Sequence, residues 1–137
     1  METNRYTKLR EQHCADYDRV FPQLLEQTRW SAEQLRDERE VRLRELLRVA
    51  KERSPWHAKR LASISPASFD VDDLPRLPPM SKQDLMENFD AIVTDPRITL
   101  AVVNEHVGGL VEDAYLFDRY HAIASGGSSG LTGGLRL

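Results

Sequence analysis

The chain has 137 residues, of which 40% are hydrophobic and 30% charged, and its formal net charge is -3. This length suits one domain or less, and the composition is typical of a folded, helix-rich protein. The weak negative charge gives no overall attraction to nucleic acid or to an anionic membrane. Cys14 is the single cysteine, and residues 1–10 lack the apolar core of a signal peptide. We therefore expect a cytoplasmic protein that binds neither nucleic acid nor a membrane.

The clearest predicted element is a helix over residues 32–53. Ser31 and Gln34 have the spacing of a capping box at its start. Apolar residues recur along it at helical spacing, namely Leu35, Leu43, Leu46, Leu47 and Ala50. This stripe requires a partner surface. Residues 1–29 precede the helix as an N-terminal extension that matches no motif.

Short elements are predicted after this helix. Ser54 and Pro55 have the character of a cap and a first helical residue, and they begin a short helix that carries Trp56 and His57. Four prolines then exclude any long element in the middle of the chain, namely Pro66, Pro75, Pro78 and Pro79. Ser81, with Asp84 three residues later, predicts another short helix over residues 82–88.

The last part of the chain changes character. Thr99 is predicted to open a helix that runs through His106 and ends at Gly108. From Tyr115 the sequence "AYLFDRYHAIAS" contains an alternating stretch, which predicts a strand that leads directly into a Gly-rich loop at residues 125–133. Because one strand cannot form a sheet, we expect either that other strands lie in partner chains or that this polypeptide is the front of a longer one.

The Gly-rich loop is the candidate binding site. Its glycines permit positive φ angles, so that successive backbone N–H groups form a concave anion nest, and its serines add hydroxyl donors. The candidate residues for binding polyphosphate are Ser125, Gly126, Gly127, Ser128, Ser129 and Gly130. The loop contains neither the Gly-Lys-Ser/Thr of a nucleotide hydrolase nor the Gly-x-Gly-x-x-Gly of a dinucleotide fold.

Two other interpretations of this loop were weighed. Residues 126–130 match Gly-x-Ser-x-Gly, which would make Ser128 a nucleophile, but no acidic residue or histidine follows it, as that catalytic arrangement requires. A passive Gly/Ser linker also fits the composition. The apolar stretch that leads into the loop favours a binding loop over a passive linker.

Three segments, taken together, carry a family resemblance. "LRELLRVAKERSPWHAKRL", "DLPRLPPMSKQDLMENFD" and "ASGGSSGLTG" occupy residues 43–61, 73–90 and 124–133. In order and spacing they resemble the opening of phenylacetate-CoA ligase-like members of the adenylate-forming superfamily, and the resemblance spans residues 30–133. It implies an α/β parent fold, of which this chain would be mostly α-helical with one or two terminal strands. Residues 30–137 would then be a truncated N-terminal part of the adenylate-forming domain.

The resemblance implies a reaction as well. In this family the loop closes over the phosphates of ATP, bound with Mg, while a carboxylic acid attacks the α-phosphorus, and CoA then accepts the acyl group. The loop is followed here by Leu131 and Thr132, and the family's adenine pocket and C-terminal domain are absent, so the chain alone is expected to be inactive. The alternative is a helical protein-interaction module with a flexible Gly/Ser tail.

Other charged groups have structural interpretations. The basic residues of 42–60 flank a leucine stripe and are interrupted by Glu45 and Glu52, which favours a solvated helix face over a nucleic-acid site. Acidic residues at 70–73 fit turns and caps better than a calcium loop. No histidine or cysteine has zinc-binding spacing, and no metal site is predicted. Lys82 and His121 have either a ligand-facing or a purely structural interpretation.

Overall fold

A computed structural model of the chain describes residues 4–111, 114–124 and 135–136. This part is mostly α-helical, as the sequence predicts. The chain divides into two compact units, one formed by Met1–Thr28 with Leu100–Leu137 and the other by Arg29–Thr99. We call them the split unit and the central unit. The N-terminal extension predicted over residues 1–29 refers to the parent fold, and it stays a prediction.

The central unit begins with α2, which spans Ala32–Arg53 and has the predicted bounds. Its capping box is confirmed: the Gln34 N–H donates to Ser31 Oγ at 3.2 Å, and the Ser31 N–H donates to Gln34 Oε1 at 2.9 Å. The helix ends at Ser54, whose backbone is extended. One residue of the predicted stripe, Leu46, is exposed, whereas its neighbour Leu47 is buried.

Short elements follow α2, as the prolines require. They are α3 (Pro55–Arg60), two 3₁₀ helices (Pro66–Ser68 and Val71–Arg76), α4 (Lys82–Glu87) and α5 (Phe89–Ile92). Ser54 caps α3 with Pro55 in its first turn, and Ser81 caps α4 with Asp84 completing a capping box. These caps confirm the predicted starts of both helices.

The core of the central unit lies against one side of α2. Leu47, Leu61, Ile64 and Phe69 form a buried cluster, and Leu43, Ala50 and Leu77 pack against it. Two cations of α2 bind backbone carbonyls beside this cluster, because Arg44 Nε donates to the Phe69 carbonyl at 2.8 Å and Lys51 Nζ donates to the Ile64 carbonyl at 2.5 Å. The predicted partner surface of the leucine stripe is therefore the segment that follows α3.

The described residues of the split unit include two helices, α1 (Arg5–Gln27) and α6 (Leu100–Gly108). α6 has the predicted position, starting after Thr99 and ending at Gly108. α1 was not predicted from the sequence. Its start is capped by Asn4, whose side chain accepts from the Tyr6 N–H at 2.9 Å. Although Pro22 lacks an N–H donor, the helix continues through it to Gln27.

The predicted strand from Tyr115 is mostly wrong. Phe117 and Asp118 have φ angles of 53° and 56°, and this left-handed pair turns the chain back on itself. As a result Leu116 and Tyr120 exchange backbone hydrogen bonds of 2.8 and 3.0 Å across the turn. Strand geometry is limited to β1 (Ile123–Ala124), which pairs antiparallel with β2 (Leu135–Arg136).

Candidate functional site

The predicted phosphate-binding residues, Ser125, Gly126, Gly127, Ser128, Ser129 and Gly130, lie outside the described residues. The described chain reaches the base of this loop on both sides. Ala124 of β1 is the register partner of Leu135 of β2, and Ile123 is the partner of Arg136. The segment between β1 and β2 therefore leaves and re-enters the described structure at one place.

A second feature joins α3 to the segment that precedes α4. Arg60 Nη2 donates to the Pro79 carbonyl at 2.5 Å, and the same guanidinium lies 4.1 Å from the centroid of the Trp56 ring. The His57 ring meets Trp56 edge-on, with 5.0 Å between ring centroids. We call Trp56, His57, Arg60 and Pro79 the α3 junction.

Charges at the α3 junction are fixed by their surroundings. Partial burial lowers the pKa of His57, and the positive charge of Arg60 lowers it further, so the imidazole is held in its neutral form. The pKa of Asp84 is lowered mainly by hydrogen bonds from the Ser81 N–H and hydroxyl, with a smaller contribution from Arg60. These shifts stabilise fixed protonation states and do not create a proton-exchanging pair.

Ser54 connects α2, α3 and α5. Its side chain is almost fully buried, with 1% of its surface exposed. The hydroxyl accepts from the His57 N–H at 3.3 Å and donates to the Ala91 carbonyl at 3.0 Å. Both bonds are partly buried, and together they link the start of α3 to α5 at the end of α2.

Several basic residues of α2 are paired with acidic residues of the central unit. Arg48 donates to Glu45 at 2.7 Å and to Glu52 at 2.5 Å. Arg42 is paired with Glu38, and Arg44 with Glu40. Surface pairs of this kind add little stability. They do, however, balance the positive charge of this face, in keeping with the structural interpretation of the basic residues.

An open groove of about 740 Å³ runs beside α2. Val41 and the side chains of Arg44, Arg48 and Lys51 line one side, and residues 65–67 line the other. The charged ends of these three cations bind acidic groups or carbonyls. The groove is therefore lined mainly by alkyl carbon, and it presents no arrangement of groups for chemistry.

In the split unit three rings contact the ring of Tyr115. Its ring centroid lies 4.9 Å from that of His13, 5.4 Å from that of His121 and 5.8 Å from that of Tyr6. His121, predicted inside a strand, instead lies before β1 and stacks on Tyr115. Lys82 is the first residue of α4. These two residues belong to different units.

Within residues 4–111, 114–124 and 135–136, no group of three or more His, Cys, Asp or Glu side chains is arranged to hold a metal ion. The same residues include no helix with enough length and apolar character to cross a bilayer.

One surface feature was missed by the sequence analysis. Tyr17, Val20, Phe21, Leu24 and Leu25 lie on α1, and all five are exposed large hydrophobic residues. Their signal was present, because apolar residues of α1 recur at spacings of three and four after Asn4, a good N-cap. Residues 1–29 match no family segment, and no helix was predicted there.

Neither a protein-family model, nor a curated protein, nor a solved structure matches this chain. The family resemblance therefore depends on the three motif segments of the sequence.

Proposed function

We propose that this chain is the N-terminal portion of an ATP-dependent carboxylate-CoA ligase of the adenylate-forming type. In the whole enzyme a carboxylic acid would react with ATP, bound with Mg, to give an acyl-adenylate and pyrophosphate, and the acyl group would then pass to the thiol of CoA. Residues 125–130 would hold the phosphates of ATP. The parent fold would be α/β, with the central unit as a helical section that precedes the loop.

The observation that carries this proposal is the packing of the first two motif segments against each other. Residues 43–61 contribute Leu47 and Leu61 to the buried cluster, and Leu77 of the second segment packs on it. Arg60 of the first segment donates to the Pro79 carbonyl of the second. Two segments that resemble one family in order and spacing thus pack against each other within the central unit.

The base of the proposed phosphate loop also supports this assignment. Ala124 and Leu135 are register partners, so the two described residues that border this segment lie side by side. Closing the base of a loop removes part of its conformational entropy before a ligand binds. A loop restrained in this way can direct its N–H groups inward at a lower cost than a free Gly/Ser tail.

Within this proposal the serines and glycines have different roles. Backbone N–H groups of Gly126 and Gly127, together with the Ser128 and Ser129 hydroxyls, would donate hydrogen bonds to phosphate oxygens. Such donors stabilise the negative charge of the phosphate oxygens during transfer. Loss of one preorganised donor typically slows a reaction by about 10²–10³-fold. We expect the lower end of this range, since the donors lie on a loop.

The test is carboxylate-dependent exchange of labelled pyrophosphate into ATP, measured on the polypeptide encoded by the complete reading frame that contains these residues. Ser128→Ala combined with Ser129→Ala should slow exchange by about 10²-fold, and Gly127→Val should slow it further because valine disfavours positive φ. Ser65→Ala is the matched control, since Ser65 caps the first 3₁₀ helix without a side-chain hydrogen bond.

The outcome distinguishes the two function classes. The proposal fails if exchange is absent from a complete polypeptide that folds, or if the loop variants retain the wild-type rate within about twofold. Either result would favour the helical interaction module with a Gly/Ser tail. The 137-residue chain alone is expected to give no exchange.

A further inference from the structure

The α3 junction connects α3 to the residues that precede α4. Residues 78–80 are exposed and belong to no helix or strand. Arg60 donates to the Pro79 carbonyl at 2.5 Å, and this bond is exposed to solvent, so water can replace it. Leu77 packs on the buried cluster before this segment, and Ser81 caps α4 after it. The Arg60 guanidinium therefore links α3 to the middle of a segment whose two ends are fixed by other contacts.

Arg60 shares the Trp56 ring with a second group that can become a cation. The guanidinium carbon of Arg60 lies 4.1 Å from the centroid of this ring, and the His57 ring lies 5.0 Å from it. His57 and Arg60 are three residues apart on α3, a spacing at which helical side chains are neighbours and like charges repel each other. A neutral imidazole is compatible with this arrangement, whereas an imidazolium would place a second positive charge beside the guanidinium.

Among the charged residues around α3, Arg60 is the one that acts on His57. Burial is the larger cause of the lowered pKa of His57, and the charge of Arg60 is the second cause. The pKa of Asp84 on α4 is lowered mainly by hydrogen bonds from Ser81 and to a smaller extent by Arg60, so this carboxylate stays ionised near neutral pH and attracts the guanidinium. The other charged residues on α3, on α4 and α5 and in the last turn of α2 are Lys51, Glu52, Arg53, Lys59, Lys82, Glu87 and Asp90.

We propose that the α3 junction is a pH-sensitive latch, in which protonation of the His57 imidazole displaces Arg60 from Trp56 and from the Pro79 carbonyl and so releases residues 78–80 from α3. Opening exposes His57 to water and separates it from Arg60, so the open form binds a proton more readily than the closed form does. The closed form is therefore favoured fully above about pH 6.5, the ordinary pKa of histidine, and progressively less below it. This role goes beyond the proposed ligase chemistry and does not depend on it.

Opening of the latch is local. It breaks an exposed hydrogen bond and a ring contact, whereas the buried cluster around Leu47 and Phe69 stays intact. A local opening exposes little surface and therefore responds weakly to denaturant, while global unfolding exposes the whole core and responds steeply. Hydrogen exchange at several urea concentrations therefore separates opening of the latch from unfolding of the central unit.

The experiment measures amide hydrogen exchange by NMR on the full 137-residue chain, corrected for intrinsic exchange rates. The reporters are Leu77 N–H, which donates to the Leu74 carbonyl at 3.0 Å, and Ser81 N–H, which donates to Asp84 Oδ2 at 2.8 Å. Between about pH 7.5 and 5.5 their opening constants should rise about two- to tenfold, where tenfold is about the limit for one proton bound at an ordinary histidine pKa. About 1 M urea should change them little, while it should accelerate exchange at Leu47 in the core.

Three variants identify the trigger. His57→Gln should remove the rise in opening at acidic pH. His106→Gln is the matched control, since it changes an imidazole of the split unit that contacts the Ala114 carbonyl, and it should keep the rise. Arg60→Gln should increase opening at both pH values, because the Pro79 carbonyl loses its charged donor, and it should reduce the rise, because the neighbouring positive charge is gone. Circular dichroism checks that each variant keeps its helix content.

Three outcomes would overturn the proposal. Opening constants that do not change with pH would show that the junction does not respond to a proton. A rise that His57→Gln retains would assign the response to another group. A urea dependence at Leu77 and Ser81 as steep as that at Leu47 would show that acid acts only through global unfolding and that no separate latch opens.

Discussion

α1 and α2 are almost equal in length, with 23 and 22 residues, yet they are held in different ways. α2 buries Leu47 and packs Leu43 and Ala50 against residues that follow it in the chain. α1 has no buried residue. α2 also carries an acidic residue in its first turn and basic residues in its last, which suits the helix dipole, whereas α1 has neither.

The difference shows what stabilises a long helix in this chain. The more apolar face belongs to α1, but nothing described covers its second half, while the polar helix α2 is anchored by a short return of the chain. Helix stability in proteins comes mostly from packing of one face and less from propensity or caps. Substitutions at exposed positions of α2 should therefore cost little stability, whereas substitutions in its core should cost much. Substitutions throughout residues 11–26 of α1 should have little effect on stability.

The largest expected effect is the difference in stability loss when the same substitution, leucine to alanine, is made in α2 and in α1. Leu47→Ala removes a side chain with 4% of its surface exposed and leaves a cavity beside Leu61 and Phe69. Such changes destabilise by about 2–5 kcal/mol. Leu24→Ala on α1, where 38% of the side chain is exposed, should cost less than about 0.5 kcal/mol.

Urea unfolding followed by tryptophan fluorescence measures this prediction, because both tryptophans, Trp30 and Trp56, belong to the central unit. The transition of Leu47→Ala should move to lower urea, and that of Leu24→Ala should coincide with wild type. Equal shifts for the two variants would mean that α1 is covered and that the contrast between the helices is wrong.

A smaller effect should separate two caps within the central unit. Ser54→Ala deprives the His57 N–H of its acceptor and leaves the Ala91 carbonyl without its donor, both in the interior. We expect a loss of about 2 kcal/mol. Ser31→Ala removes an exposed capping bond from Gln34, where water can replace the hydroxyl, and should cost about 1 kcal/mol or less.

The same unfolding measurement compares these caps. If Ser31→Ala shifts the transition as far as Ser54→Ala does, burial of the hydroxyl adds nothing to the cap. Burial would then add to stability through side-chain packing but not through hydrogen bonds.

The central unit was predictable from the sequence because its signals are local. Ser31, Ser54 and Ser81 each precede a helix by one residue, and the side chain of each accepts a bond from a nearby N–H. Prolines limited the elements between α3 and α4 to two short 3₁₀ helices. Local hydrogen bonding and fixed φ angles are encoded within a few residues, so reading the sequence located these boundaries.

The split unit was harder to predict for physical reasons. α1 matches no family segment and was not predicted, although its N-cap and apolar spacing indicate a helix. The strand from Tyr115 was predicted from alternation, which carries no information on φ. Phe117 is a bulky residue that disfavours the left-handed region, so nothing in its identity announced the turn at φ 53°. For the candidate site, the sequence supplied the loop residues, and the described structure supplies only the paired base of that loop.

The smallest expected effect is a pH dependence that belongs to the central unit. His57 is partly buried beside Trp56, and burial, followed by the charge of Arg60, lowers its pKa from the ordinary value of about 6.5. Below about pH 6.5 the unfolded chain binds a proton at this position more readily than the folded chain does. Stability should therefore be complete above pH 6.5 and decrease as the pH falls from there towards the lowered folded pKa.

The measurement is the urea midpoint of wild type and of His57→Gln, followed by tryptophan fluorescence between about pH 5 and 8. The two proteins should run in parallel above pH 6.5, and below it wild type should lose stability relative to His57→Gln. Asp84 and Asp73, whose pKa values are lowered, act only in a more acidic range. Arg60→Gln should keep a slope of the same sign, because burial is the larger cause of the shift and remains. A wild-type curve that parallels His57→Gln throughout would mean that the imidazole is as well solvated in the folded chain as in the unfolded one, and that α3 is no better covered than the exposed half of α1.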